Sequence, residues 1–221
     1  MRYYPAFLDL KGKKAAVVGG GTVAERKIRV LLKAGALVTV VSPALTSWLA
    51  SKAKTGAILH ISRSYRKADL RGSFVVIAAT DDVKVNSRVS KDATVPVNVV
   101  DTPFECSFIL PSLVQRGPLT LAISTSGASP ALARSLRKEL EAIYGKEFKS
   151  YLDYLAKVRR DAMQLLPDPR RRAAFLKWLG SAEMLAKFRK EGLSVVRDLV
   201  LSRLRKESSR CRKAFLRGSC S

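Results

Sequence analysis

The stretch "VNVVDTPFECSFILP", residues 97–111, holds a strand-like apolar run that ends on a single carboxylate, Asp101. A carboxylate there can accept a proton from a bound molecule, or it can simply close a turn. A second chemically informative group lies upstream, where Gly19-Gly20-Gly21-Thr22-Val23-Ala24 follows the pattern G-x-G-x-x-A. In a dinucleotide site Gly19 would permit a tight turn and Gly21 the close approach of a pyrophosphate to the backbone. Ala24 would let a helix pack closely on a sheet, its N-terminal N–H groups facing the phosphates. The pattern is weak alone and gains force only between a strand and a helix.

Its surroundings supply that context. Ala15–Val18 reads as a short buried strand, and "TVAERKIRVLLKAGA" has helical spacing at Val23, Ala24, Ile28, Leu31 and Leu32, stopping at Gly35. "LVTVVSP" is a second strand, "LTSWLASKAKTG" a short helix, and Ile58–Ile61 a third strand. Phe74–Ala79 is a near-continuous apolar strand, "VKVNSRVSKDA" a helix, and "VPVNVVD" the next strand. Alternating strands and helices, with strands apolar on both faces, predict an α/β fold with a parallel sheet covered by helices.

Around this frame, further residues become candidates. The second strand ends in Ser42-Pro43 where a ribose-binding Asp or Glu is usual. Ser42 could still meet a ribose hydroxyl, and no arginine follows at once to pair with a 2′-phosphate, so NAD is the expected cofactor. Thr80 and Asp81 in "AATDD" could line the nicotinamide side, although an Asp-Asp pair opening a helix serves equally as an N-cap.

After Asp101 the pattern changes. Phe108–Val114 and Leu119–Ser124 flank the turn "QRGP" and predict an antiparallel pair. Ser129-Pro130 starts a helix with Leu132, Leu136, Leu140 and Ile143 on one face. The C-terminal third reads as three or four helices, broken at Pro167-Asp168-Pro169, at Gly180-Ser181 and near Gly192. Phe148, Leu152, Leu155 and Val158 form one apolar face, and Phe175, Trp178 and Leu179 another.

Composition bounds the function classes. The 221 residues carry 41 Lys+Arg against 18 Asp+Glu, a net charge of +23, split as +12 over residues 1–150 and +11 over 151–221. Such a field attracts polyanions, whether nucleic acid, anionic membrane or a polycarboxylate substrate, or it serves solubility alone. No apolar run approaches the roughly 18 residues of a membrane span, and no secretory h-region opens the chain. Cys106, Cys211 and Cys220, with the single His60, share no metal-ligand spacing, so no resident metal is expected. Cys106 and His60 read as structural, and a reducing cytoplasm fits.

Three segments, "VVGGGTVAERKIRVLLKAGALVTVVSP", "AATDDVKVN" and "VNVVDTPFECSFILPSLVQRGPLTLAISTSGASPALARSLRKELE", closely resemble in order and spacing the siroheme-synthase N-terminal family. The resemblance covers about residues 1–150. It implies a Rossmann domain, a small α+β dimerisation domain and a C-terminal helical domain. Here these would be residues 1–107, 108–147 and 148–205, with a basic, disorder-prone tail over 206–221. It also implies NAD-dependent oxidation of precorrin-2 to sirohydrochlorin, in some members with iron insertion, by a homodimer. On this resemblance Asp101 is the catalytic aspartate. Thr22, Val23, Pro43 and Ala44 contact the dinucleotide, and Thr125 stands in a substrate loop where serine is common.

The implied substrate is a macrocycle ringed by carboxylates, which would use some of the positive charge; Arg116, Arg134 and Arg137 are the candidates to bind it. Ferrous iron would be a substrate rather than a cofactor. No membrane partner is expected, and nucleic acid is the weaker reading because the basic tail shows neither a recognised motif nor aromatic interleaving. A methyltransferase segment of the kind fused in some members is not recognised in the chain. Two rival readings stand beside the enzyme: a nucleotide-sensing module that needs no Asp101, and a nucleic-acid-binding protein driven by charge.

Overall fold

Five apolar runs, each ending at the same level, build the sheet that organises the first half of the chain. The computed structural model describes residues 3–216, with side chains through residue 208. It divides into two compact units: one takes the chain up to Pro111 together with Ser126–Ala128, the other Ser112–Thr125 and the chain from Ser129.

In the first unit the order is β1 (Lys14–Val18), α1 (Thr22–Lys33), β2 (Leu37–Val41), α2 (Ser47–Lys54), β3 (Leu59–Ile61), β4 (Val75–Ala78), α3 (Val83–Asp92) and β5 (Val97–Val99). The strands are all parallel in the order β3-β2-β1-β4-β5. Val18 pairs with both Val41 and Ala78, Val41 with Ile61 and Ala78 with Val99, so all five strands finish at one edge. The chain reverses direction across the sheet between β1 and β4, and ligands bind at such a switch point.

Alternation along the strands feeds two cores. Ala15, Val17, Val38, Val40, Val75 and Ile77 pack with Ala24, Ile28 and Leu31 of α1 and Leu49 of α2. Ala16, Val18, Val76, Ala78, Val97 and Val99 face the other way, onto Val89 of α3, Tyr65 and Leu70. Strands buried on both faces are the signature of a helix-covered parallel sheet, as the sequence predicts.

The second unit opens with the antiparallel pair β6 (Ser112–Arg116) and β7 (Leu119–Ile123), closed by Gly117 at φ 59. Four helices follow: α4 (Pro130–Ile143), α5 (Glu147–Leu165), α6 (Pro169–Leu179) and α7 (Ala182–Leu216). All three expected helix breaks occur, the last as a single non-helical residue, Gly192, inside α7. The helical core joins Phe148, Tyr151, Val158, Phe175, Leu179, Phe188 and Val196, with Tyr151 and Phe188 stacked at 4.1 Å.

Two boundaries differ from expectation. The first hairpin strand starts at Ser112 rather than Phe108, because residues 106–108 run along the open edge of β5. There Val97 N–H donates to Ser107 Oγ (2.7 Å), Ser107 N–H donates to Val97 O (2.9 Å), and Val99 N–H donates to Cys106 Sγ (3.1 Å). Covering an edge strand removes its unpaired backbone groups, and that demand outranks extension of the hairpin. The second difference is that α7 continues through Leu216, so the segment read as a tail from residue 206 is helical that far. The remainder of that segment, with Cys220 and the side chain of Cys211, lies outside the described residues. Among the described residues no helix is long and apolar enough to cross a membrane, and no cluster of His, Cys, Asp and Glu could hold a metal ion.

Candidate active site

The site forms where loops leave the level ends of β1, β2, β4 and β5. After β1, Gly19 has φ 118 and donates its N–H to Val41 O (2.9 Å); a Cβ there would stand 2.1 Å from Ala79 O. At Gly20 a Cβ would stand 2.0 Å from Ala44 O. Both glycines are therefore dictated by neighbouring backbone. Gly20 carries a constraint that sequence reasoning did not assign to it, since Ala44 approaches only in the fold.

Gly21 is different. It is the N-cap of α1, has no side-chain cap, and a Cβ on it would meet nothing within 4 Å. By contrast α2, α3, α4 and α6 are capped by Thr46, Asp82, Ser129 and Asp168. The first N–H groups of α1 are thus left without a side-chain acceptor beside open space, with exposed Thr22 and half-buried Val23 next in line. A dinucleotide pyrophosphate fits this cradle.

The loop after β2 closes against it. Thr46 N–H donates to Gly20 O (3.0 Å), and the Thr46 hydroxyl donates to Glu25 Oε2 (2.6 Å). That hydroxyl, with the Arg29 guanidinium 2.6 Å from Oε1, holds the Glu25 carboxyl below the usual range. Ser42, expected at a ribose hydroxyl, is buried and donates to Ala44 O at 2.7 Å, so its proton supports the loop. Pro43 and Ala44 are the exposed residues here. His60 Nε2 lies 2.9 Å from Ser42 O, a structural contact.

After β4, the Thr80 backbone and hydroxyl both donate to Asn86 Oδ1 (3.1 and 2.8 Å), and Asn86 Nδ2 donates back to Thr80 O (2.9 Å). Asp82 caps α3 through Lys84 and Val85 N–H, leaving Asp81 exposed at the same edge.

At the end of β5 a cavity of about 420 Å³ opens, with Asp101 on its wall beside Val23, Lys27, Asn98, Cys106 and Leu110. Asp101 is exposed and has φ 57, the left-handed region that non-glycine residues seldom enter. Lys27 Nζ donates to Asn98 Oδ1 (3.1 Å), while Asn98 Nδ2 donates to Phe108 O (3.1 Å). Burial lowers the Lys27 pKa and the neighbouring Arg26 cation adds to that; Cys106 and Asp101 oppose it. Lys27 and Asn98 were not singled out from sequence. Lys27 lies four residues beyond Val23, a spacing that reads only as helix surface, and no local signal pairs it with Asn98.

The basic candidates and Thr125 lie in the second unit. Arg116 donates to Tyr144 O (2.8 Å) and Glu141 O (3.3 Å), so it closes the C-terminal turn of α4 instead of presenting a free guanidinium. Arg137 pairs with Glu141 (2.7 Å), and Arg134 is exposed. The Thr125 hydroxyl bonds the backbone of Ser129 in both directions at 3.1 Å, bridging a loop that carries Ser126 at φ 53.

Residues 6–112 match the family described as putative NAD(P)-binding, and residues 116–143 match the sirohaem biosynthesis protein central family. A solved structure titled "SirC, precorrin-2 dehydrogenase" superposes with a TM-score of 0.80 at 30% identity, covering 92% of this chain and 100% of that one. The chain belongs to the siroheme-synthase N-terminal (precorrin-2 dehydrogenase) family. Siroheme synthase of Methylobacillus flagellatus is 42% identical over 178 residues, and that of Thioalkalivibrio sulfidiphilus 46% over 166. The matches take in 79% and 72% of this chain but only 38% and 34% of those longer proteins. The uncapped start of α1 and the open side of Gly21 lie within the residues that match the putative NAD(P)-binding family.

Proposed function

We propose that this chain oxidises precorrin-2 to sirohydrochlorin with NAD as hydride acceptor. The observation that carries this is the placement of Asp101 on a cavity wall that also includes Val23, two residues beyond the uncapped N-cap of α1. The nicotinamide, when bound, supplies the hydride acceptor. The chain's residues do the rest. Gly19 and Gly20 let the loops close, and Gly21, Thr22, Val23, Pro43 and Ala44 would hold the dinucleotide. Thr80 and Asp81 would line the nicotinamide side. Asp101 takes the proton that leaves as conjugation extends round the macrocycle. NAD is preferred over NADP because β2 ends without an adjacent arginine for a 2′-phosphate.

Arg134 is the freest of the basic candidates for a substrate carboxylate, with Arg116 and Arg137 already engaged within their unit. Thr125 shapes the loop after β7. The protein works as a homodimer in the cytoplasm, and iron insertion into sirohydrochlorin is a second activity to be tested on the same preparation.

The deciding experiment is anaerobic: wild-type protein, precorrin-2 and NAD, followed by absorbance for sirohydrochlorin and NADH, then with ferrous iron added. NAD-dependent conversion supports the dehydrogenase, and metallation above the spontaneous rate adds the chelatase. No conversion by a folded, NAD-binding protein would move the assignment to a nucleotide-sensing module.

A further inference from the structure

The cavity beside Asp101 holds a cation whose partners are incomplete. Lys27 is half-buried, and its ammonium has three donors. One goes to Asn98 Oδ1, and Asn98 is itself fixed by Phe108 O and Cys106 Sγ on its amide nitrogen. Among the described residues no carboxylate forms an ion pair with Lys27, and none pairs with Arg26 on the same cavity wall. A partly buried ammonium held in place by a buried amide, with donors to spare, is a preorganised receptor for an anion. Burial already disfavours its charge, and an arriving carboxylate would reverse that. The wall around it is mixed: Val23, Ile109 and Leu110 are apolar, Thr102 and Asp101 polar. That lining suits an acidic side arm attached to a flat apolar ring better than a phosphate.

We propose that Lys27, steered by Asn98, is the receptor for one carboxylate arm of the tetrapyrrole and so orients the macrocycle edge toward Asp101. The inference rests on the dehydrogenase reading and assigns substrate recognition within that cavity. Lys27 lies one helical turn beyond Val23 on the same face of α1. The chain's own geometry thus places a carboxylate receptor next to the residues that would hold the dinucleotide.

The test uses the full chain under anaerobic conditions, with sirohydrochlorin titrated by absorbance and NAD by protein fluorescence, in wild type, Lys27→Met and Lys27→Arg. The expected result is that Lys27→Met weakens sirohydrochlorin binding at least roughly tenfold, the scale of one charge-assisted hydrogen bond. NAD affinity and thermal unfolding stay unchanged, Lys27→Arg recovers most of the loss, and KM for precorrin-2 rises more than kcat falls. Sirohydrochlorin binding by Lys27→Met equal to wild type overturns the assignment while leaving the dehydrogenase reading intact. Loss of NAD binding alone overturns it too, by giving the ammonium to a cofactor phosphate. Equal loss of both ligands without rescue by arginine makes Lys27 structural. If Lys27→Met does not fold, Lys27→Gln is read in the same way. Wild-type protein that binds NAD but no tetrapyrrole overturns the dehydrogenase reading itself, and the inference with it.

Discussion

Asp101 adopts φ 57, a conformation that glycine or asparagine enters more readily, so its side chain needs a reason to be there. Asp101→Asn separates the possible reasons. Asparagine tolerates the backbone and keeps the shape but cannot accept a proton. Tetrapyrrole oxidation should fall about 10²- to 10⁴-fold, while NAD affinity and unfolding temperature hold. A fully active variant would make Asp101 a turn residue. The glycines admit a similar separation. Gly20→Ala drives a Cβ toward Ala44 O, a backbone atom, and should cost about 1–3 kcal/mol as overpacking does. Gly21→Asp meets nothing in the protein, so it should fold normally yet bind NAD weakly, its carboxylate opposing the pyrophosphate. If chemical unfolding shows Gly21→Asp to be the less stable of the two, the cradle is misplaced.

At the scale of elements, the parallel sheet, its order of helices and the three helix breaks were legible because each is written locally, in apolar runs and in glycine or proline punctuation. The start of β6 was not. Phe108 looks like the first residue of an apolar strand, but its segment is needed along the edge of β5, and that need is visible only once β5 is known to be an edge. The same holds within the site: Asp101 and the glycine turn stand out in sequence, whereas Lys27 meets Asn98 across 71 residues and Arg116 meets Tyr144 across 28. A local contact, between residues six apart, gives a pH signature. Asp69, buried in the turn before β4, accepts from Arg63 at 2.9 and 2.6 Å and from Arg66 N–H at 2.8 Å. The Arg63 hydrogen bonds hold its carboxyl below the usual range against burial. A carboxyl lowered in the folded state contributes stability that is present above its unfolded value, about 3.9, and is lost as pH falls through the folded value. Asp69→Asn should therefore destabilise by about 1–2 kcal/mol at pH 7, because Arg63 faces solvent and screening reduces the pair. The gap from wild type in urea midpoint should narrow in strong acid. A gap that stays constant with pH would assign the effect to packing.

For the whole molecule, charge and apolar surface point to different partners. A net charge of +23 suits an enzyme whose substrate carries many carboxylates, yet one ligand cannot use 41 cations, and most must be solvated. The apolar surface is more selective. Leu132 and Ile143 are 50% and 45% exposed, with Leu136 and Leu140 half-buried, on the single apolar face of α4. On the hairpin, Leu113 is also exposed. Exposed leucines scattered singly need no explanation, but a helix face with a period of three and four does. A second copy of the chain is the occupant that the family resemblance implies, and a stable pair would bury about 1,200–2,000 Å² in all. Light scattering should then give twice the chain mass at micromolar concentration. The double variant Leu132→Glu with Ile143→Glu should give the single mass, with unchanged helix content because both positions are exposed on the monomer. The outcome is informative either way: a wild-type monomer leaves the α4 face without its partner, and a dimeric double variant moves the interface off α4.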